Sequence, residues 1–228
     1  MYSSSDQCRD LKDFATLIPL RGGSKGIPQK NLRLINNSPL YHYVVNASLN
    51  ANLKTFISTE DYTIKEDCRR FFGSVQIVDR PIALAQDHST TEGAIEHFLA
   101  TESSVKHIVL LQATSPLTKS EDIKMAIDKY IKNSPLPLLS VVHDHCFLWG
   151  KDGNPLNYDP FKRPRRQDWE GLYRENGAIY IFSKEHFNSK KSRSSKKCTL
   201  FEMNKKTLFE IDDLDDLSIV SAILDKKI

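Results

Sequence analysis

The chain has 228 residues, 39% of them hydrophobic and 27% charged, enough for one domain with a substantial core and too apolar for a disordered tail. No apolar run approaches the ~18 residues a bilayer span needs, and a net charge of +3 gives no reason to expect nucleic acid as a partner. Four scattered cysteines (Cys8, Cys68, Cys146 and Cys198) form no CxxC pair, which argues against a zinc ribbon or a disulfide framework.

Residues 1–13 read as an extension without the basic start and apolar centre of a secretory signal, so a cytoplasmic protein is expected. The run from Phe14 to Leu20 is short, apolar and followed by Arg21-Gly22-Gly23, the pattern of a buried strand feeding a loop. Ser38-Pro39 reads as an N-cap with proline at the first helical position, and Leu40, Val44, Ala47 and Leu49 continue that helix. Residues 55–58 and 105–111 are strand-like. Ser120 is expected to cap a helix carrying Ile123, Ala126, Ile127 and Tyr130. Residues 138–142 and 178–182 are further strands, and Asp213 is expected to cap a last helix with Leu214, Leu217, Val220 and Leu224 inside. Strands alternating with helices predict an α/β fold with a mostly parallel sheet over residues 14–228. Residues 143–173 break the pattern with prolines and a basic cluster, and read as an excursion from the sheet.

Most of the chemistry is concentrated after the first strand, in Arg21-Gly22-Gly23-Ser24-Lys25-Gly26-Ile27-Pro28-Gln29-Lys30-Asn31. The carboxyl end of an α/β strand is where such sheets present a ligand crevice. Three glycines let backbone N–H groups approach an anion, and Arg21, Lys25 and Lys30 supply cations suited to a triphosphate. The segment is neither a Walker A loop nor a GxGxxG fingerprint. The same residues would equally make a glycine turn with solvated lysines.

This segment resembles the signature of the sialic acid cytidylyltransferases (CMP-N-acylneuraminate synthetases). Further segments resemble that family in order: Ser58-Thr59-Glu60-Asp61; Arg80-Pro81, Leu84-Ala85 and Asp87-His88-Ser89-Thr90-Thr91; Leu111-Gln112-Ala113-Thr114-Ser115-Pro116-Leu117; then residues 162–169 and 173–180. The resemblance implies a Rossmann-like fold of the nucleotide-diphospho-sugar transferase type, and a reaction in which CTP and a nonulosonic acid give the CMP-sugar and pyrophosphate. It implies that Arg21, Gly23, Ser24, Lys25 and Lys30 hold the triphosphate, and that Asn31, Arg80, Ser89 and Thr91 contact the nucleotide. Gln112, Arg174 and Asn176 are implied on the sugar side. Arg165 or Arg166 is implied as a catalytic arginine beside Arg21, Lys30 and Asp212. Family members pair as homodimers in which an excursion like 143–173 reaches the neighbour's pocket. Pseudaminic, legionaminic, Kdn and Kdo acids are alternative substrates, and a non-catalytic CTP- or sugar-binding relative is a second possibility.

The late acidic stretch 209–216 is the other site. On a strand, Glu210 and Asp212 would face one side and converge on a magnesium ion; the family pattern there is Asp-Ile-Asp, and this chain has Glu210 in the first place. Asp213, Asp215 and Asp216 are better suited to the N-terminus of the last helix. His143-Asp144-His145-Cys146 has metal-ligand residue types, but neighbours on a strand point to opposite faces, so no metal is expected there. Residues 190–197 read as a solvated basic loop, Trp149 and Trp169 as packing residues. Residues 162–166 also look like a nuclear import signal, which would apply to an animal protein.

Overall fold

The structure, a computed structural model, describes residues 11–24 and 26–225. Lys25 therefore lies outside the described residues, as do Cys8 and residues 226–228.

Strand β1 (Phe14–Pro19) is followed by a two-stranded ribbon, β2 (Leu34–Ile35) and β3 (Ser38–Pro39). Its turn residues Asn36 and Asn37 both take positive φ (48° and 67°), which asparagine tolerates and a two-residue hairpin requires. Helix α1 (Leu40–Asn50) and strand β4 (Lys54–Thr59) come next. Helix α2 (Tyr62–Phe71) opens with the Asp61 carboxylate accepting from Ile64 N, and α3 (Thr91–Thr101) with the Thr90 hydroxyl accepting from Gly93 N. Strands β5 (Gln76–Asp79) and β6 (His107–Leu111) flank α3 in the chain. Helix α4 (Ser120–Asn133), strands β7 (Leu138–Asp144) and β8 (Leu172–Ser183), helix α5 (Lys184–Lys190), strand β9 (Thr199–Glu202) and helix α6 (Leu214–Leu224) complete the order.

Seven strands form one sheet in the order β5-β4-β1-β6-β8-β7-β9. Four of its pairings are parallel, and the two made by β8 are antiparallel. The α/β expectation holds, with β8 as the departure. Alternate residues of β1 serve two cores. Phe14 and Ile18 join residues of α1, α2 and α4 on one face, while Ala15 and Leu17 join α3 and α5 on the other, as the two-residue period of a strand requires. Chain order runs outward from β1 through β4 to β5, then returns to β6 on the other side of β1. That reversal places a crevice at the carboxyl ends of β1, β4 and β6.

Three local expectations are corrected. Ser38 and Pro39 belong to the ribbon, so α1 starts at Leu40. Ser120 is the first residue of α4 rather than its cap, and the Asp122 carboxylate accepts from Lys119 N instead. Residues 209–213 are not a strand; they cross from a 3-10 turn (Lys205–Leu208) to α6, whose cap is Asp213 as expected, with Asp216 completing a capping box.

Residues 145–171 leave the sheet between β7 and β8. Within them the rings of Phe147 and Trp169 stack at 4.5 Å with their planes 6° apart, and the Arg163 guanidinium lies over the Phe147 ring, 4.1 Å from its centroid. Trp169 thus packs as expected, whereas Trp149 is half exposed.

Candidate active site

Glycines 22, 23 and 26 do not take the positive φ that a phosphate nest would use. Two of them are required by close approach instead. A Cβ on Gly22 would meet the Asp61 carboxylate at 2.2 Å, and one on Gly26 would meet the Asp212 carbonyl oxygen at 2.4 Å; Gly23 faces open space. The loop is anchored from below by Ile27, which packs with Ile35, Leu40, Ile211 and Val220 in a small separate core. The Asn31 amide donates to the Arg21 carbonyl at 2.9 Å and closes the loop on itself.

A groove of about 300 Å³ opens at the carboxyl ends of β1 and β6. Arg21, Lys30 and Asn31 line it from the loop after β1, Arg80 from the end of β5, and Ser89 and Thr91 from the start of α3. Gln112 lines it from the turn after β6. Seven of the residues singled out from the sequence thus share one groove. Ser24 is half-buried on the loop and Gly23 is exposed, and neither lines it. The Arg21 guanidinium bridges the mouth, donating to the Asp87 carboxylate at 2.9 Å. Arg80 lies deep, 6% exposed, and donates to the Leu20 carbonyl at 2.6 Å and the Glu60 carboxylate at 3.0 Å.

A second cavity, about 540 Å³, is linked to the first by an ion pair between Lys30, which lines the first, and Asp212, which lines the second. The Lys30 ammonium donates to the Ile211 carbonyl at 3.0 Å and to Asp212 Oδ1 at 3.1 Å. Asp212, Glu210 and Arg174 line this cavity together with Asp144 and Lys205. The two acids converge here without a strand to align them. Glu210 is half-buried against Gly177, whose φ is +64° and whose Cβ would lie 2.7 Å from the Glu210 carboxylate. Burial first, and the neighbouring Asp212 charge second, push the Glu210 carboxyl above its usual range. A partly buried carboxyl with a second carboxylate beside it suits a divalent cation, which asks only one or two protein carboxylates when substrate phosphates complete its shell. Among the described residues no cluster of three or more His, Cys, Asp or Glu is arranged to hold a metal by itself.

Asn176 lines neither cavity. It is 1% exposed, and its amide bonds Ser140 Oγ at 2.6 Å and Thr207 Oγ1 at 2.8 Å, so it ties β7, β8 and the Lys205–Leu208 turn together. Arg165 and Arg166 are exposed on the excursion, Arg165 paired with Asp168, and neither lines either cavity of its own chain. Reading the sequence missed Lys205 and Asp144, whose ion pair at 3.5 Å borders the second cavity; no local pattern distinguishes that lysine from its neighbour Lys206.

No described helix is long and apolar enough to cross a membrane. The family model described as "Cytidylyltransferase" matches residues 15–224. The chain is 33% identical over 223 residues to N-acylneuraminate cytidylyltransferase A of Danio rerio, covering 93% of this chain and 51% of that protein. It is 30% identical over 210 residues to N-acylneuraminate cytidylyltransferase of Streptococcus agalactiae serotype V, covering 88% and 50%. The chain therefore spans about half the length of these relatives. Among solved structures, CMP:2-keto-3-deoxy-manno-octonic acid synthetase complexed with CTP superposes with a TM-score of 0.70 at 16% identity, over 95% of this chain and all of that one. A 4-diphosphocytidyl-2C-methyl-D-erythritol synthase gives 0.69 at 14% identity over 93% and 99%. At such identities these two bear on the fold alone.

Proposed function

The chain belongs to the cytidylyltransferase family, and from that footing we propose that it transfers CMP from CTP to a nonulosonic acid, N-acylneuraminate foremost, with release of pyrophosphate. The observation that carries the reading is the Lys30–Asp212 bond that ties the linings of two cavities together: one lined by Arg21, Lys30, Asn31, Arg80, Ser89 and Thr91, the other by Arg174, Glu210 and Asp212. The relatives' names support the acceptor.

In this reading CTP enters the first groove. Its phosphates displace Asp87 from Arg21 and take Lys30 as a second cation. Asn31, Ser89 and Thr91 offer neutral hydrogen-bonding groups to the nucleoside, with Arg80 beneath them. The sugar acid sits in the second cavity, where Arg174 can grip its carboxylate in a bidentate way and Gln112 approaches from the nucleotide side. The anomeric hydroxyl then attacks the α-phosphorus and gives up its proton to solvent, the bond to the β-phosphate oxygen breaks, and pyrophosphate leaves with its electron pair. Charge builds on the phosphate oxygens, so fixed cations and alignment provide the rate enhancement. Glu210 and Asp212 would hold Mg²⁺, which when bound neutralises phosphate charge.

Exposed apolar side chains on the excursion, with Phe161 98% exposed, support pairing of two copies. In such a pair Arg165 or Arg166 would act in the neighbour's site.

The test is pyrophosphate release from CTP, magnesium and a panel of nine-carbon and eight-carbon 2-keto acids. The reading expects turnover with N-acetylneuraminate above the other acids. Release with Kdo alone would reassign the acceptor, and CTP binding without release from any acid would leave a non-catalytic relative.

A further inference from the structure

Glu60 directly follows β4, and its side chain is only 15% exposed. Its two carboxylate oxygens serve two different elements, the loop after β1 and the residue that follows β5. Oε1 accepts from Gly22 N at 2.7 Å, and Oε2 accepts from Arg80 Nη2 at 3.0 Å. The same Arg80 nitrogen donates to the Leu20 carbonyl at 2.6 Å, so strand end, glycine loop and guanidinium form one bonded unit.

A guanidinium as deep as Arg80 needs an anionic partner to remain in place, and Glu60 meets that need. The buried Arg80 Nε has no hydrogen-bond partner within the protein, so the hold on this guanidinium passes through Nη2, while Arg80 itself lines the groove. Gly22 N–H is already taken by Glu60 and cannot serve a phosphate. The Asp61 carboxylate occupies the place of a Gly22 side chain and prevents the loop from sinking further. The loop's height and the guanidinium's direction are therefore set before any ligand arrives, which is what lowers the ordering cost of binding.

We infer that Glu60 is a positioning residue for the nucleotide. It touches no substrate, and acts by clamping the Gly22 backbone and Arg80 into the geometry that receives CTP. The inference rests on the reading of this groove as the nucleotide site.

The experiment is Glu60→Gln, which keeps the shape and one acceptor but turns an amide N–H₂ towards one of the two donors. Calorimetric Kd for CTP, KM for CTP and for the sugar acid, kcat and Tm are measured together. The expected result is a rise of about tenfold or more in Kd and KM for CTP, the scale of one charge-assisted bond, with KM for the sugar acid unchanged. Adding Glu60→Gln to Arg80→Met should weaken CTP binding less than adding it to the parent does, because part of its effect passes through Arg80. Parent-like CTP affinity in Glu60→Gln overturns the inference, as does a loss of kcat and of both KM values that merely follows a fall in Tm. Should Glu60→Gln fail to fold, Glu60→Asp keeps the charge with a shorter reach and must show the same CTP-selective weakening; parent affinity there overturns the clamp. A parent protein that binds no CTP overturns the reading of the groove itself, a result distinguishable from parent binding that Glu60→Gln leaves intact.

Discussion

The ammonium of Lys30 donates to Asp212 Oδ1 at 3.1 Å, joining residues 182 positions apart in the chain. Lys30 is well covered, with a side-chain exposure of 17%, whereas Asp212 is 77% exposed. The cation is thus the fixed member of the pair, and the carboxylate is the member that can turn towards a newcomer. A phosphate arriving at Lys30 and a divalent ion arriving at Asp212 would each replace the other's present partner, so binding of the two is expected to be cooperative.

Asp212→Asn tests that junction. It keeps the hydrogen bond from Lys30 and removes the charge. Turnover should fall ~10²–10³-fold, the scale of losing one electrostatic group at developing charge, and added magnesium should restore little of it. The far-ultraviolet circular dichroism should match the parent, because Asp212 is exposed and outside any regular element. Parent-like turnover would remove Asp212 from the site.

Gly26→Ala tests the close approach of loop and acidic segment. Its new Cβ would stand 2.4 Å from a backbone oxygen of Asp212, and a backbone atom cannot step aside as a side-chain tip can. The loop must lift, parting Lys30 from Asp212 and loosening Ile27 from its small core. The expected outcome is a loss of turnover exceeding that of Gly23→Ala, since nothing lies within 4 Å of a Cβ at position 23. A steady-state comparison of the two variants decides it.

Glu210 gives a pH prediction. Burial and the Asp212 charge raise its pKa in the fold, so the folded state holds that proton more tightly than the unfolded chain does. The stabilisation is complete below the ordinary carboxylate pKa and is lost as pH rises through the raised one. At neutral pH, without divalent ions, the ionised carboxylate is a burden. Glu210→Gln should then raise Tm at neutral pH, with the gain fading in acid. The same variant should lose activity. Differential scanning calorimetry across pH in chelator reads the first effect, and equal Tm values at every pH would contradict it.

The thiols differ in reactivity. Burial, aided by Asp67, pushes the Cys68 thiol up to about 11, while Cys146 and Cys198 are only partly buried. Thiolate is the reactive form, so alkylation of the native protein at pH 8, followed by peptide mass spectrometry, should modify Cys146 and Cys198 well before Cys68.

Much of this fold is written locally. The run from Phe14 to Pro19 is apolar on both faces because both faces are covered, and Asp213 announces α6 through its spacing to Asp216. Helix α2 is less legible, because its buried face is narrow, only Ile64 and Cys68. The antiparallel setting of β8 depends on what the excursion does, which no residue of β8 specifies. At the site, Arg21, Lys30 and Arg80 are visible as charges in a glycine-rich or strand-end setting. Glu60, by contrast, acts through bonds to Gly22 and Arg80 that exist only after β1, β4 and β5 pair. Asn176 misleads for the opposite reason: a polar residue in a site-like motif is consumed by partners 31 and 36 positions away.

Phosphorus NMR of the protein with CTP, magnesium and N-acetylneuraminate tests the central claim most directly. The account predicts that the three CTP resonances give way to one phosphodiester signal and one of pyrophosphate, and that Arg21→Ala slows this by about two orders of magnitude. Three CTP resonances that persist unchanged with every 2-keto acid offered, or the appearance of free CMP with no phosphodiester, would contradict it.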